Sequence, residues 1–148
     1  MSRRAERRSR LGPLRWLRLP LAVAMLALAA LMLLPPGWFG MGGIAPELLT
    51  ARLAGARPPL VVDVRTGPEF AAGHIDGALP VPLHTVPFRV GELGAHKGRP
   101  VVLVCMSGHR SRVAGLFLRL AGFAEVINLD GGMAAWRAGG LPLAGPPR

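Results

Sequence analysis

A single cysteine, Cys105, stands in the whole chain, in the run Val101-Val102-Leu103-Val104-Cys105-Met106-Ser107-Gly108-His109-Arg110-Ser111. Four apolar residues, three of them β-branched, lead straight into it, which is the pattern of a fully buried strand. Val113–Ala121 then reads as a helix, with Arg112 and Arg119 two turns apart on one face. Strand followed by helix puts Cys105 at the carboxyl end of a strand. Open α/β sheets bind their ligands at that edge.

The residues between them suit an anionic partner. Successive backbone N–H groups of Met106, Ser107, Gly108, His109 and Arg110 can curl into an anion-binding nest. Gly108 permits the turn. The positive end of the next helix falls at the same place, with Ser111 as its cap. Arg110 and His109 add positive potential, and a thiol in such surroundings ionises more readily than a free one. The loop therefore offers a nucleophilic sulfur beside a cradle for anionic sulfur or oxygen. The rival reading is a small core residue that closes a strand, since lone cysteines are often buried and inert. The cationic, glycine-containing loop favours the reactive thiol.

The rest of the chain must position this loop. Its 148 residues suit one domain with a real core. Pro46–Ala54 opens with proline and an acid, as a helix start does, and Gly55 ends it. Leu60–Val64 is an apolar, β-branched strand. Pro68–Ala72 reads as a short helix closed by Gly73, Ala78–Val81 as a brief strand, and Thr85–Lys97 as irregular or weakly helical. Glu125–Leu129 is a further strand and Gly132–Ala138 the last helix, entered through the tight turn of Gly131 and Gly132. Strands alternating with helices imply a parallel sheet of about four to five strands with helices on both faces.

The formal net charge of +10 invites a nucleic-acid reading that its distribution excludes. Residues 1–18 hold seven arginines and one glutamate; the remainder is scattered, with no basic run and little aromatic interleaving. Leu19–Leu34 is a run of 16 residues without a charge. Flanking residues can extend it, with Arg15 and Arg18 snorkelling and Trp38 and Phe39 at the far interface. The expected organisation is a basic cytoplasmic tail at 1–18, a transmembrane anchor at 19–39, a linker at 40–45 and a domain at 46–145. The positive-inside rule leaves the amino terminus in the cytoplasm and puts the domain outside the cytoplasmic membrane, with the bilayer as a partner of residues 19–39. A cleaved signal segment, giving a secreted domain, is the alternative. The four histidines do not form a metal-binding spacing, and one cysteine cannot build a zinc site.

Five pieces of sequence resemble the single-domain rhodaneses, a family of sulfurtransferases, in family order and spacing. They are Asp63-Val64-Arg65, Glu69-Phe70, Gly73-His74-Ile75 with Gly77-Ala78, Cys105-x-Ser107-Gly108-x-Arg110-Ser111, and Leu129-x-Gly131-Gly132-Met133-x-x-Trp136. The resemblance covers roughly Ile44 to Leu143. It implies a sulfane sulfur carried from a small anionic, thiosulfate-like donor to an external thiol or cyanide, through a persulfide on Cys105 and without a cofactor. Met106 to Arg110 would hold the donor, and Asp63, Arg65 and Ser111 would support the site. Arg65 is expected to be structural before it is a substrate contact, and Glu69 to be a helix-start charge able to pair with Arg65. His74 reads as a hydrogen-bonded turn residue and Trp136 as core. Four residues separate Cys105 from Arg110, whereas rhodanese-like phosphatases and arsenate reductases carry five, so the resemblance argues against phosphatase activity. The alternative it leaves open is a non-catalytic, membrane-tethered module that senses sulfur or anions or presents the loop to a partner protein.

Overall fold

The structure, a computed structural model, describes residues 14–33 and 40–145. They fall into two compact units divided after Leu34. The first holds one helix, α1 (Leu14–Leu33), with Pro20 inside it. Its opening turns carry Arg15 and Arg18. The apolar part that remains rises about 22 Å at ~1.5 Å per residue, short of a hydrocarbon core of ~30 Å. Among the described residues no helix is long and apolar enough to cross a membrane. The expected anchor over 19–39 is therefore corrected. The bilayer partner and the placement of the domain outside the cytoplasmic membrane fall with it. Most of the basic tail, and Trp38 and Phe39, lie outside the described residues.

The second unit is built on one all-parallel sheet. Its strands are β1 (Gly42–Ile44), β2 (Leu60–Asp63), β3 (Leu79–Pro80), β4 (Val101–Val104) and β5 (Val126–Leu129), in the order β1-β5-β4-β2-β3. The helices are α2 (Pro46–Leu53), α3 (Gly67–Ala71), α4 (Val86–Arg89), α5 (His109–Leu120) and α6 (Gly132–Ala138). Leu83–Thr85 and Glu92–His96 form 3-10 turns on either side of α4, the second within the Thr85–Lys97 stretch expected to be weakly helical and the first beginning ahead of it. Strand β1 comes from a stretch expected as linker. Its pairing with β5, Ile44 opposite Leu129, makes it a strand despite two glycines of low strand propensity.

β4 lies at the centre, and all four of its residues are buried. Alternation divides them between two cores. Val101 and Leu103 join Val62, Val64, Ala114 and Leu118 on the face covered by α5. Val102 and Val104 join Leu49, Met133 and Trp136 on the face covered by α2 and α6. Helices thus cover both faces, as a sheet of buried parallel strands requires. Trp136 packs in the core opposite α5, not against it, and its Nε1 donates to the Pro142 carbonyl at 2.9 Å.

From β2 the chain moves outward to β3; from β4 it moves the other way, to β5. The direction reverses between β2 and β4, and the crevice at their carboxyl ends is the ligand position of such sheets. Asp63 pairs in register with Val104, so the residues after both strands meet there.

Candidate active site

Cys105 follows β4 directly and continues its inward alternation on the α5 side, 1% exposed. It is a free thiol. The backbone N–H of Gly108 donates to Cys105 Sγ at 3.0 Å. Gly108 itself takes φ +94°, a left-handed conformation that side chains resist. Gly108 is also the N-cap of α5, which starts at His109, four residues before the expected Val113. Ser111, expected as the cap, lies instead at the third position of α5, fully buried, its Oγ without a hydrogen-bond partner among the described residues.

A second element fixes the loop from behind. The N–H of Met133 donates to the Cys105 carbonyl at 2.8 Å, and that of Ala134 to the Met106 carbonyl at 3.0 Å. These are the free N–H groups of the first turn of α6. A trans peptide points its N–H opposite to its C=O. With both carbonyls turned to α6, the N–H groups of Met106 and Ser107 face away from it. α6 thus holds the two carbonyls so that these donors turn the other way. Such an approach requires Gly132. A Cβ there would lie 2.4 Å from the Cys105 carbonyl oxygen and 2.7 Å from the Met106 carbonyl.

Around the loop, Met106 is half-buried, while Ser107 and His109 are exposed, with Ser107 Oγ and His109 Nδ1 3.0 Å apart. Arg110 forms a two-pronged pair with Glu69: Nη1 donates to Oε2 at 2.8 Å and Nη2 to Oε1 at 2.7 Å. Glu69 is the third residue of α3 and also receives the N–H and hydroxyl of Thr66, at 2.9 and 2.7 Å. This is the carboxylate half of a capping box. The Arg110 hydrogen bonds, and then the Thr66 N–H, hold the Glu69 carboxyl well below the usual carboxylate range. Arg110 is raised in turn, first by its hydrogen bonds to Glu69, with smaller contributions from the charges of Glu69, Cys105 and Asp63. The pairing of Glu69 with Arg65 that the sequence allowed is not made.

Arg65 pairs with Asp63 instead, and both are 1% exposed. The guanidinium meets the carboxylate through Nε at 3.0 Å and Nη2 at 2.6 Å, and Nη2 also donates to the Gly73 carbonyl at 2.8 Å. These bonds tie the end of β2 to the chain after α3. His74 stacks on Phe70, with ring centres 3.8 Å apart, in the turn expected for it.

Three neighbours of the loop went unread in the sequence. Glu69 reads as a helix-start charge able to pair with Arg65, and its tie to Arg110 spans 41 positions. Gly132 was read as a turn residue only. Asn128 is a buried polar residue on β5 whose side-chain nitrogen lies 3.1 Å from where a Cβ on Gly108 would stand. Its signal was a polar residue inside an apolar strand. Among the described residues no cluster of three or more His, Cys, Asp or Glu side chains could hold a metal ion.

Comparison with known proteins assigns the domain. The model of the rhodanese-like domain matches residues 45–139. A protein of Allochromatium vinosum named sulfurtransferase is 44% identical over 103 residues, 70% of this chain and 94% of that protein. Thiosulfate sulfurtransferase GlpE of Stutzerimonas stutzeri is 39% identical over 95 residues, 64% of this chain and 83% of that one. The rhodanese-like domain of the Anabaena Alr3790 protein, solved by solution NMR, is 31% identical with a TM-score of 0.64, covering 70% of this chain and 79% of that one. With the five parallel strands and the loop after β4 in the family's order, this chain belongs to the rhodanese-like domain family.

Proposed function

We propose that the protein is a sulfurtransferase that carries a sulfane sulfur as a persulfide on Cys105, within a domain that takes in β1 and runs over residues 42–145. The observation that carries this reading is the Gly108 N–H on Cys105 Sγ at 3.0 Å, inside a loop whose carbonyls are drawn away by α6. Such donors stabilise negative charge on sulfur before and after transfer. The names of the Allochromatium and Stutzerimonas relatives support the same activity.

In the first step the Cys105 thiolate attacks the outer sulfur of a donor such as thiosulfate. The donor's S–S bond breaks, sulfite leaves with the electron pair, and Cys105 holds a persulfide anion. In the second step an external thiophile, cyanide or a thiolate, attacks the outer sulfur and restores the thiolate. Met106, Ser107 and Gly108 supply backbone donors to the transferring sulfur, and Ser107 and His109 line the exposed rim for the donor's anionic group. Arg110 braces the rim of the loop through its pair with Glu69. Asp63, Arg65 and Ser111 support the loop from the core. A single sulfur atom suits a thiol that is 1% exposed better than a phosphorus centre ringed by oxygens. The four-residue spacing from Cys105 to Arg110 agrees with that preference.

The test uses the full chain. It is incubated with thiosulfate and its intact mass recorded; cyanide is then added and thiocyanate measured, with Cys105→Ser as control. The reading expects a mass gain of one sulfur that cyanide removes and the variant lacks. No gain with thiosulfate or with a thiosulfonate would overturn it and leave a loop presented to a partner protein as the better account.

A further inference from the structure

Both guanidinium groups that the sequence places near the cysteine are committed to carboxylates. Arg65 is spent on Asp63 in the core, and Arg110 on Glu69 at the rim. The Arg110 pair is not a casual surface contact. Both prongs of the fork are used, and the carboxylate that receives them is itself fixed by the N–H and hydroxyl of Thr66. Arg110 thus cannot turn its fork to a donor without giving up both of its bonds to Glu69. With Arg110 paired, the backbone donors and the start of α5 supply a weaker field at Cys105 than a free guanidinium would.

Resting on the sulfur-transfer reading, we propose that Glu69 sets donor specificity: by neutralising Arg110, it favours sulfur donors that carry one negative charge over donors that carry two. The favoured class is a thiol persulfide or a thiosulfonate, and the disfavoured one is thiosulfate. Chemistry at the sulfur is the same for both. The Cys105 thiolate attacks the terminal sulfur of a thiosulfonate, the S–S bond breaks, and sulfinate leaves with the electron pair, as sulfite does from thiosulfate.

The test is Glu69→Gln in the full chain, assayed with thiosulfate and with benzenethiosulfonate, cyanide being the acceptor for both. Glutamine keeps the shape and still accepts the Thr66 N–H, but it unmasks the charge of Arg110. Coulomb attraction scales with donor charge, so a gain of about tenfold in kcat/KM for the dianion goes with only about threefold for the monoanion. The ratio of thiosulfate to thiosulfonate activity then rises about threefold, and added salt narrows the gap. Arg110→Gln, which leaves Glu69 unmasked, moves the ratio the other way and serves if Glu69→Gln does not fold. In the Arg110→Gln background, Glu69→Gln shifts the ratio less than it does in the wild type.

A structural role for the pair would change both donors by the same factor, and that result, or an unchanged ratio, overturns the inference alone. Loading of wild-type Cys105 by neither donor would overturn the sulfur-transfer reading and this inference with it.

Discussion

Replacing Gly132 with alanine tests whether α6 holds the cysteine loop in its working shape. Two costs can be worked from the structure. Gly132 has φ +58°, where a side chain costs roughly 1–2 kcal/mol. The new Cβ would also stand 2.4 Å from the Cys105 carbonyl oxygen, where ordinary contacts begin at 3.4 Å. Its neighbours are backbone atoms, which cannot rotate aside, so loop and helix must part by about 1 Å. That movement weakens the two hydrogen bonds from Met133 and Ala134, worth about 1 kcal/mol each. Together the loss is about 2–4 kcal/mol. The effect on rate is larger in proportion, since a displacement of ~1 Å at reacting groups costs about 100-fold.

The neighbouring glycine supplies the control. Gly131 is also left-handed, at φ +67°, but a Cβ there meets the side chain of Ala135, within α6 and away from the loop. Gly131→Ala should therefore lose comparable stability and keep sulfur loading within about threefold of wild type. Urea denaturation gives the stabilities, and single-turnover loading of Cys105 followed by mass gives the rates. A folded Gly132→Ala protein that loads at the wild-type rate would refute the argument. So would a loss of rate in Gly131→Ala as large as in Gly132→Ala.

Two further outcomes follow from the ion pairs. Asp63→Ala leaves the buried Arg65 guanidinium without its carboxylate and should cost roughly 3–5 kcal/mol by urea denaturation, with a cost under about 1 kcal/mol counting against the pair as a support of β2. Glu69 titrates below its ordinary value in the fold, so its pairing stabilises the protein above the unfolded carboxylate value of about 4.3, and that stabilisation is lost as pH falls below it. The gap in Tm between wild type and Glu69→Gln should be widest near neutral pH and close as pH falls from about 5 toward 2. It should stay small throughout, because the two side chains are 33% and 29% exposed.

The parts of the fold legible in the sequence were those with a local cause. Val101–Val104 announced itself as a buried strand by composition, and the alternation of strands and helices announced the parallel sheet. The start of α5 was read late because His109-Arg110-Ser111-Arg112 has no apolar periodicity, and its cap is a left-handed glycine rather than a side chain. Strand β1 was missed because Gly42-Gly43-Ile44 has no strand propensity of its own; β5 imposes the conformation by pairing. The error over residues 19–39 had the opposite origin. The run is uncharged, but its helix ends at Leu33 and begins among arginines.

Charge near the cysteine shows most clearly what composition cannot carry. Read along the chain, Cys105 has Arg110 beside it and Arg65 at the same sheet edge, which suggests a strongly cationic site. In the fold each arginine meets a carboxylate, and the one that meets Arg110 lies 41 residues away in sequence. The two pairs differ in what they do. Asp63 and Arg65 are fully buried, and their hydrogen bonds to the backbone of Arg65 and Gly73 brace the end of β2. Glu69 and Arg110 sit at a half-exposed rim, where a neutral pair adds little to stability but removes a full charge from the approach to the sulfur. Selectivity for anionic sulfur then falls to the backbone donors, which Gly132 and α6 orient by holding the Cys105 and Met106 carbonyls from behind. A donor with one charge can be satisfied by that nest alone, whereas a donor with two would need the guanidinium that Glu69 withholds.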